Sequence, residues 1–540
     1  MFLVSFSRYG FNLDDIWMWL EIYEHKPVWN GYNPSMGRFF PLASLDLNVL
    51  MQFSTSPYIF FAFNALLALI FALTWFYMLS FVSQKIWLNI LLIAFFMLSM
   101  GFVIVTFGIC YPERLLVVFL SIFIITSMLY LRAPTLSLFM LGILMINLCI
   151  YLKEPMFIAA FVFGFMLFIS TLRISFVDSI NTESTHSPNV SPIQADSINS
   201  HKKALRFYAL GIMSSAALYA LIYALFILPQ MTKVYNRATP FTNTLVVKIQ
   251  GWINFILNDG LIIALTLAIV CYRIYLILRG RDKIRALFDG LLCACLAYML
   301  VYFALGIFEV YYLLPCYIWS GVAIMYYLFT QGYIKRLVMK LCIAFGLLGF
   351  FSSSLPMGFY TMINLKAMAV QFNELLDFSA KYIAQNPHTR IYFDGTGRGR
   401  DIYPDWYVRY FIEYLNRIYN VKDFDVMSAM PNGKDIVLDS ISPYSYYNNL
   451  TITKPQVGDL LILNNTTSIY ADSAYIAQLA SSHSLIFTST FSSIPYISIR
   501  SVIKGINFKF IGAQSALLGN ANMFHLPLET YVFKVQNLAL

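Results

Sequence analysis

Two adjacent carboxylates, Asp14 and Asp15, open a short aromatic stretch, Asn12-Leu13-Asp14-Asp15-Ile16-Trp17-Met18-Trp19, just ahead of the first long apolar segment of the chain. Paired acids at a membrane edge are costly to desolvate, so they favour a water-filled cavity where they can take up protons, ions or a substrate. Further on, short charged stretches punctuate the apolar sequence: Gly37-Arg38-Phe39-Phe40-Pro41, Pro112-Glu113-Arg114, Lys153-Glu154-Pro155 and Glu309-Val310-Tyr311-Tyr312. Their chemistry is that of a carboxylate base beside cations able to hold a departing anion. Taken singly, Glu113 or Glu154 could equally be a helix cap or a local ion-pair partner.

The elements that must position these residues are membrane helices. Of 540 residues, 59% are hydrophobic and 12% charged, and the mean hydropathy is +0.67, outside the range of a soluble globular chain. The net charge of +9 does not mark a nucleic-acid binder, because Lys and Arg fall in short loops between apolar runs, where they orient helices. All seven cysteines lie at or before Cys342, so the polar C-terminal part has no disulfide framework. Cys293 and Cys295 point to different faces of a helix and make a poor metal pair.

Apolar segments at 58–82, 86–109, 114–131, 135–152, 155–173, 204–228, 259–279, 286–308, 310–331 and 337–355 give about ten membrane helices. Residues 1–57 read as an outer loop with an interfacial helix over Asp14 to Tyr23 and a second amphipathic piece from Leu45 to Phe53. The Ser-, Asn- and Thr-rich stretch 175–200 reads as a flexible cytoplasmic loop within the 58–356 membrane module. Residues 357–540 read as a soluble α/β domain, with helices near 364–385, 404–418 and 470–481. Its expected strands are 390–393, 435–438, 459–463, 485–490 and 496–499. Asp394-Gly395-Thr396-Gly397-Arg398-Gly399-Arg400 follows one of them but matches no phosphate-loop spacing.

Loop charge orients the chain. Lys85, Arg132, Arg173 with Lys202, Lys203 and Arg206, the 279–285 loop, and Lys335-Arg336 share one set of alternate loops, which is therefore cytoplasmic. Asp14, Asp15, Glu113, Arg114, Lys153, Glu154 and Glu309 all fall in the opposite set. The acids were not used to place the loops, so one outer cavity accounts for their coincidence.

Taken together, the acidic pair, the Gly-Arg-Phe-Phe-Pro-Leu stretch, Pro-Glu-Arg and Lys-Glu-Pro at outer helix ends and the late Glu309-Val310-Tyr311-Tyr312-Leu313-Leu314-Pro315 resemble the GT-C superfamily of membrane glycosyltransferases. That superfamily includes protein O-mannosyltransferases and the aminoarabinose transferases of lipid A. The resemblance covers about residues 10 to 355, and each motif is short. It implies an α-helical polytopic enzyme of a bacterial inner membrane, with its active site and α/β domain extracytoplasmic. The enzyme would move a sugar from a polyprenyl-phosphate donor to a cell-surface glycan, lipid or protein acceptor. The membrane lipid would be its surroundings. The family places a helix before the acidic pair, so one more span is expected upstream of Met1.

On this reading Asp14 is the base. Asn12 and Asp15 form a capping-box-like pair that leaves Asp14 facing the cavity, and Asp15 is the second catalytic candidate. Arg114, Lys153 and Arg38 hold the donor phosphate. Glu113, Glu154, Glu309 and Tyr312 orient these cations or the sugar. No cofactor is assigned with certainty, no metal ligand set is assigned, and a divalent metal is left open. The alternatives are a transporter or flippase of lipid-linked sugars, which should show repeated halves, and a polymerase or ligase of such sugars. A non-catalytic surface receptor has only the α/β tail in its favour. An alkaline phosphatase fused after Leu540 is expected to be active and a green fluorescent protein fusion there dark; the reverse pattern would put the acids in the cytoplasm.

Overall fold

The computed structural model describes residues 2–10, 15–28, 31–172, 192–232, 245–394, 405–427, 455–464, 473–489 and 529–536. The first element, α1 (Asp15–Tyr23), is followed by a two-residue hairpin, β1 (Tyr32–Asn33) and β2 (Arg38–Phe39), and by α2 (Leu45–Met51). Next come α3 (Pro57–Ser80), α4 (Ile86–Met97), α5 (Met100–Phe107), α6 (Glu113–Arg132), α7 (Leu136–Leu152) and α8 (Met156–Leu172). The bundle is completed by α9 (Pro192–Ile222), α10 (Leu245–Leu278), α11 (Ala286–Leu305), α12 (Leu314–Met325) and α13 (Leu337–Gly349). Continuous with the last through a π-turn is α14 (Leu355–Gln385).

Among the described residues, seven helical stretches are long and apolar enough to cross a membrane, and eight if the bent pair of α4 and α5 is one span. The expected count of about ten is reached only by adding α7 and α8, each of 17 residues, short of the roughly 20 that a straight span needs. The chain is a helical membrane protein on these lengths and compositions. Its outward side chains agree: Leu66, Leu69 and Leu73 of α3, Phe207, Leu218 and Leu221 of α9, and Leu337, Leu341 and Leu348 of α13 are apolar and exposed, a face suited to lipid.

Four boundaries differ from the sequence reading. The 86–109 segment bends by 65° between α4 and α5, where Ser99 caps the second piece through the Phe102 N–H. It nevertheless runs from one end of the bundle to the other: the Thr330 hydroxyl donates to the Val82 carbonyl at its start, and Asp15 accepts from the Ile109 N–H at its finish. Helix α14 crosses the expected domain border at 356/357, because Pro356 falls in its first turn, where a missing N–H is tolerated. Helix α9 begins at Pro192, inside the stretch read as a loop. Helix α10 begins at Leu245 and kinks at Asp259, so the interval between the expected 204–228 and 259–279 segments is partly helical. At the bend, α14 approaches so closely that a Cβ on Gly358 would lie 2.4 Å from the Leu98 carbonyl oxygen.

The C-terminal part continues with β3 (Thr389–Phe393), α15 (Asp405–Arg417), β4 (Phe424–Met427), β5 (Leu460–Leu463), α16 (Ser473–Ser482), β6 (His483–Thr488) and β7 (Tyr531–Val535). They form a mixed sheet in the order β4-β3-β5-β7-β6, with β3 parallel to β4 and β5, and β7 antiparallel to β5 and β6. Strands β4 and β7 were missed by the sequence reading. The strands expected at 435–438 and 496–499, and the glycine-rich residues 395–400, lie outside the described residues.

Helix α1, read as interfacial, is buried among protein on most of its surface. Ile16, Met18, Trp19, Leu20 and Ile22 are all buried, in one cluster with Leu47 and Met51 of α2, Phe60 and Phe61 of α3, Phe372 and Leu375 of α14, and Phe411, Tyr414 and Leu415 of α15. It is wedged between the bundle and the sheet domain. The Tyr414 hydroxyl donates to the Ile16 carbonyl at 2.8 Å. Arg417 grips Glu24 with two N···O distances of 2.5 Å and reaches Glu21 at 3.4 Å. The Arg417 hydrogen bonds push the Glu24 carboxyl down to about 2, so the ion pair stabilises the folded form at pH values above the ordinary glutamate range. That contribution is lost as pH falls from about 4.5 towards 2. Thermal unfolding across that range is expected to show wild type losing its advantage over Glu24→Gln, with the two converging near pH 2.

Candidate functional site

At the α1 end of the bundle the chain threads a loop, 108–112, between α5 and α6. Asp15, 2% exposed, accepts from the Ile109 N–H at 3.0 Å through Oδ2 and from the Cys110 N–H at 2.8 Å through Oδ1. Both carboxylate oxygens accept from backbone amides of another segment, and the capping-box pairing expected with Asn12 falls on residues outside those described. Asn64, buried in α3, donates to the carbonyls of Thr106 and Gly108 at 3.0 and 3.1 Å. The loop is thus fixed from two sides. Asp14 and Asn12 lie outside the described residues.

The loop delivers Glu113 and Arg114 into the first turn of α6, with Pro112 at the cap. Glu113 is fully buried and its Oε1 lies 2.5 Å from Lys153 Nζ. Lys153 is placed by the end of α7, where its extended backbone (φ −153°, ψ 118°) stops the helix ahead of Pro155. Its ammonium sits 4.5 Å from the centroid of the Tyr312 ring and 5.9 Å from that of Tyr311, a cation–π setting. The two tyrosines belong to the 3₁₀ turn Val310–Leu313, which Glu309 opens by accepting the Tyr312 N–H on its carbonyl at 3.0 Å. Tyr312 stacks on Tyr302 of α11 at 4.7 Å, and Tyr111 meets Tyr311 edge-on at 4.7 Å.

Next to Lys153 in sequence, Glu154 turns to the β1–β2 hairpin. Its Oε1 accepts from the Phe39 N–H at 3.0 Å and lies 3.7 Å from Arg38 Nε. The hairpin itself is held by α9 and the π-turn that follows it: Tyr219 donates to the Phe39 carbonyl at 2.6 Å, and Tyr223 to that of Gly37 at 2.8 Å. Gly37 adopts φ +69°, a left-handed turn that suits glycine. The Arg38 guanidinium carbon is 4.7 Å from the Phe40 ring centroid.

Arg114 takes a different direction from the one expected. Its Nη2 pairs with Asp46 of α2 at 2.7 Å, Nη1 donates to Asn64 at 2.6 Å and Nε to the Tyr111 carbonyl at 3.0 Å. The side chain is nearly fully buried, and it ties α6 to α2 and α3. The structure therefore gathers Arg38, Glu113, Lys153, Glu154 and Tyr312 around neighbouring ion pairs and turns Arg114 into a brace. Asp46 and Asn64 were missed. Their only sequence signals were a polar residue inside the 58–82 apolar run and an acid in the 45–53 amphipathic piece. Among the described residues no group of three His, Cys, Asp or Glu side chains is placed to hold a metal.

The opposite end has its own charged knot. Arg273 near the end of α10 makes a two-pronged contact with Asp289 of α11 at 2.9 and 2.8 Å and also bonds Asp282, while Tyr327 donates to Asp289 at 2.5 Å. No protein-family model matches the chain, and no curated protein matches it.

In chemical terms the cluster at the α1 end holds two cations, each already matched to one carboxylate, against tyrosine and phenylalanine faces. An incoming anion can engage Lys153 or Arg38 by sharing or displacing a glutamate. Removing Lys153 alone strands a buried Glu113 charge, an effect worth about 3–5 kcal/mol. Lys153→Met is therefore expected to lower the thermal midpoint clearly in scanning fluorimetry, and Glu113→Gln added to it should restore most of the loss. A double variant as unstable as Lys153→Met would show that the pair is not coupled.

Proposed function

We propose that the chain is an integral-membrane glycosyltransferase that moves a sugar from a polyprenyl-phosphate donor to an extracytoplasmic acceptor. The observation that carries the reading is the convergence of Lys153 with Glu113, Arg38 with Glu154, and Tyr312, drawn from four separate segments to the end of the bundle where the acidic stretch lies. Sequence resemblance to the GT-C superfamily supplies the reaction class.

In this mechanism the acceptor hydroxyl oxygen attacks the anomeric carbon, and its proton passes to the Asp14 carboxylate. The bond from the sugar to the lipid phosphate breaks, and the phosphate departs as an anion carrying the bonding pair. Lys153 and Arg38 hold that anion. Arg38 offers a planar fork and Lys153 a point charge. Glu113 and Glu154 keep both cations oriented before the donor arrives, and Tyr312 gives the Lys153 ammonium a face to rest on. Asp15 and Arg114 act as positioning residues, since their contacts fix the 108–112 loop and the start of α6.

The test is transfer of labelled sugar from polyprenyl phosphate in membranes with matched protein levels. Asp14→Asn should lower transfer by about 10² or more while donor binding persists. The Glu113→Gln/Lys153→Met pair should be folded yet weak in both donor binding and transfer. Near-normal transfer by an Asp14→Asn/Asp15→Asn double variant would end the mechanism.

A further inference from the structure

A second charged feature lies on the other flank of α1, apart from the Lys153 cluster. Lys366 of α14 is 2% exposed, and its Nζ has no hydrogen-bond partner among the described residues. The ammonium instead rests 3.6 Å from the centroid of Phe61 and 5.8 Å from that of Phe107. A buried amine without a partner is costly, and such a group marks a site whose partner arrives from outside.

The space it faces is a recess of about 20 Å³ lined by Phe6, Arg8, Asp15, Phe61, Phe107 and Lys366 among others. That volume admits roughly one oxygen atom or one water. Among the described residues the acid lining it is Asp15, whose two oxygens accept from the Ile109 and Cys110 amides. Arg8 is exposed, and its Nη1 donates to the Ser7 carbonyl at 3.0 Å and the Tyr58 hydroxyl at 3.3 Å. Around it Phe6, Tyr58 and Ile59 are exposed apolar or aromatic surface. A buried cation in the recess, an exposed cation nearby and aromatic surroundings together suit an anionic headgroup at a membrane boundary.

We infer that this recess binds a phosphate oxyanion, one oxygen entering to meet the Lys366 ammonium while Arg8 meets the others outside. The inference stands on the recess and does not depend on the transferase reading. The phosphate can belong to a lipid headgroup or be free, and the probes separate the two. Full-length protein in neutral detergent is titrated calorimetrically with dioctanoyl phosphatidylglycerol, with inorganic phosphate, and with dioctanoylglycerol as the uncharged control.

Saturable binding of the phospholipid, absent for dioctanoylglycerol, assigns a lipid headgroup; binding of inorganic phosphate alone assigns a free ion. In either case Lys366→Gln is expected to weaken binding by roughly tenfold or more, the loss of one charge-assisted hydrogen bond. If Lys366→Gln does not fold, Arg8→Ala, at an exposed position, should still weaken binding by about threefold or more. Binding unchanged in the folded Lys366→Gln protein, binding unchanged in Arg8→Ala, or equal binding of dioctanoylglycerol would overturn the site.

Discussion

The contact on which the α1 end depends is the Asp15 carboxylate set across the amides of Ile109 and Cys110. Those amides lie just past the end of α5, in a turn that belongs to no helix, so burial without a partner would cost about 1–3 kcal/mol for each. One side chain satisfies both, and in doing so it joins α1 to the loop that starts α6. Asn64 secures the same loop through two carbonyls and passes the constraint to Arg114. The order of dependence runs from Asp15 to the loop, from the loop to Glu113, and from Glu113 to Lys153.

Helix α1 can supply this contact because it is held on both sides. Its apolar residues pack on α2 and α3 below and on α14 and α15 above, and the Arg417–Glu24 pair and the Tyr414 hydrogen bond fix its position on α15. Burial of Trp19 against Phe60, with ring centroids 5.2 Å apart, is worth about 1.5–3 kcal/mol by area alone and somewhat more for the aromatic geometry. The sheet domain is thus part of what keeps Asp15 in place. A chain without it would leave one whole face of α1 without cover.

The sequence made some of this legible and hid the rest for identifiable reasons. Long apolar runs announce helices because lipid leaves the backbone no other way to satisfy its hydrogen bonds, and the stretches at 58–82, 114–131 and 286–308 lie close to α3, α6 and α11. Charged residues at helix ends were readable as a group, since Glu113, Lys153 and Glu154 fall together in the loops opposite the Lys- and Arg-rich set. Their pairing was not readable. Whether Arg114 faces a cavity or Asp46 depends on how α2 packs against α3, which no local pattern encodes. The same holds for α1: the spacing of Ile16, Trp19 and Leu20 shows one apolar face, but only the fold shows that Met18 and Ile22 are buried as well. Helix α14 was divided because the composition turns more polar after Pro356, although a first-turn proline is compatible with a helix that continues. Strand β7 is an ordinary alternating segment whose partner β5 lies far away in sequence.

The buried ion pairs at the α1 end bear on how an anion could be received there. Desolvating Lys153 and Glu113 is expensive, and their attraction roughly offsets that cost without making the pair a strong source of stability. Lys153 left without Glu113 would be far less favourable at that depth and would draw in water or another anion. Pairing each cation with a glutamate therefore keeps it charged and oriented in the empty protein. On the proposed reading, a phosphate that reaches Lys153 meets an ammonium already stripped of most of its water, so the desolvation cost falls in folding and not in binding. What the ligand must then overcome is the bond to Glu113, and a doubly charged phosphate leaving group competes with a singly charged carboxylate better than the singly charged phosphodiester of the donor does. Such a site would favour the departing anion over the bound donor, which is the direction of discrimination that transfer requires.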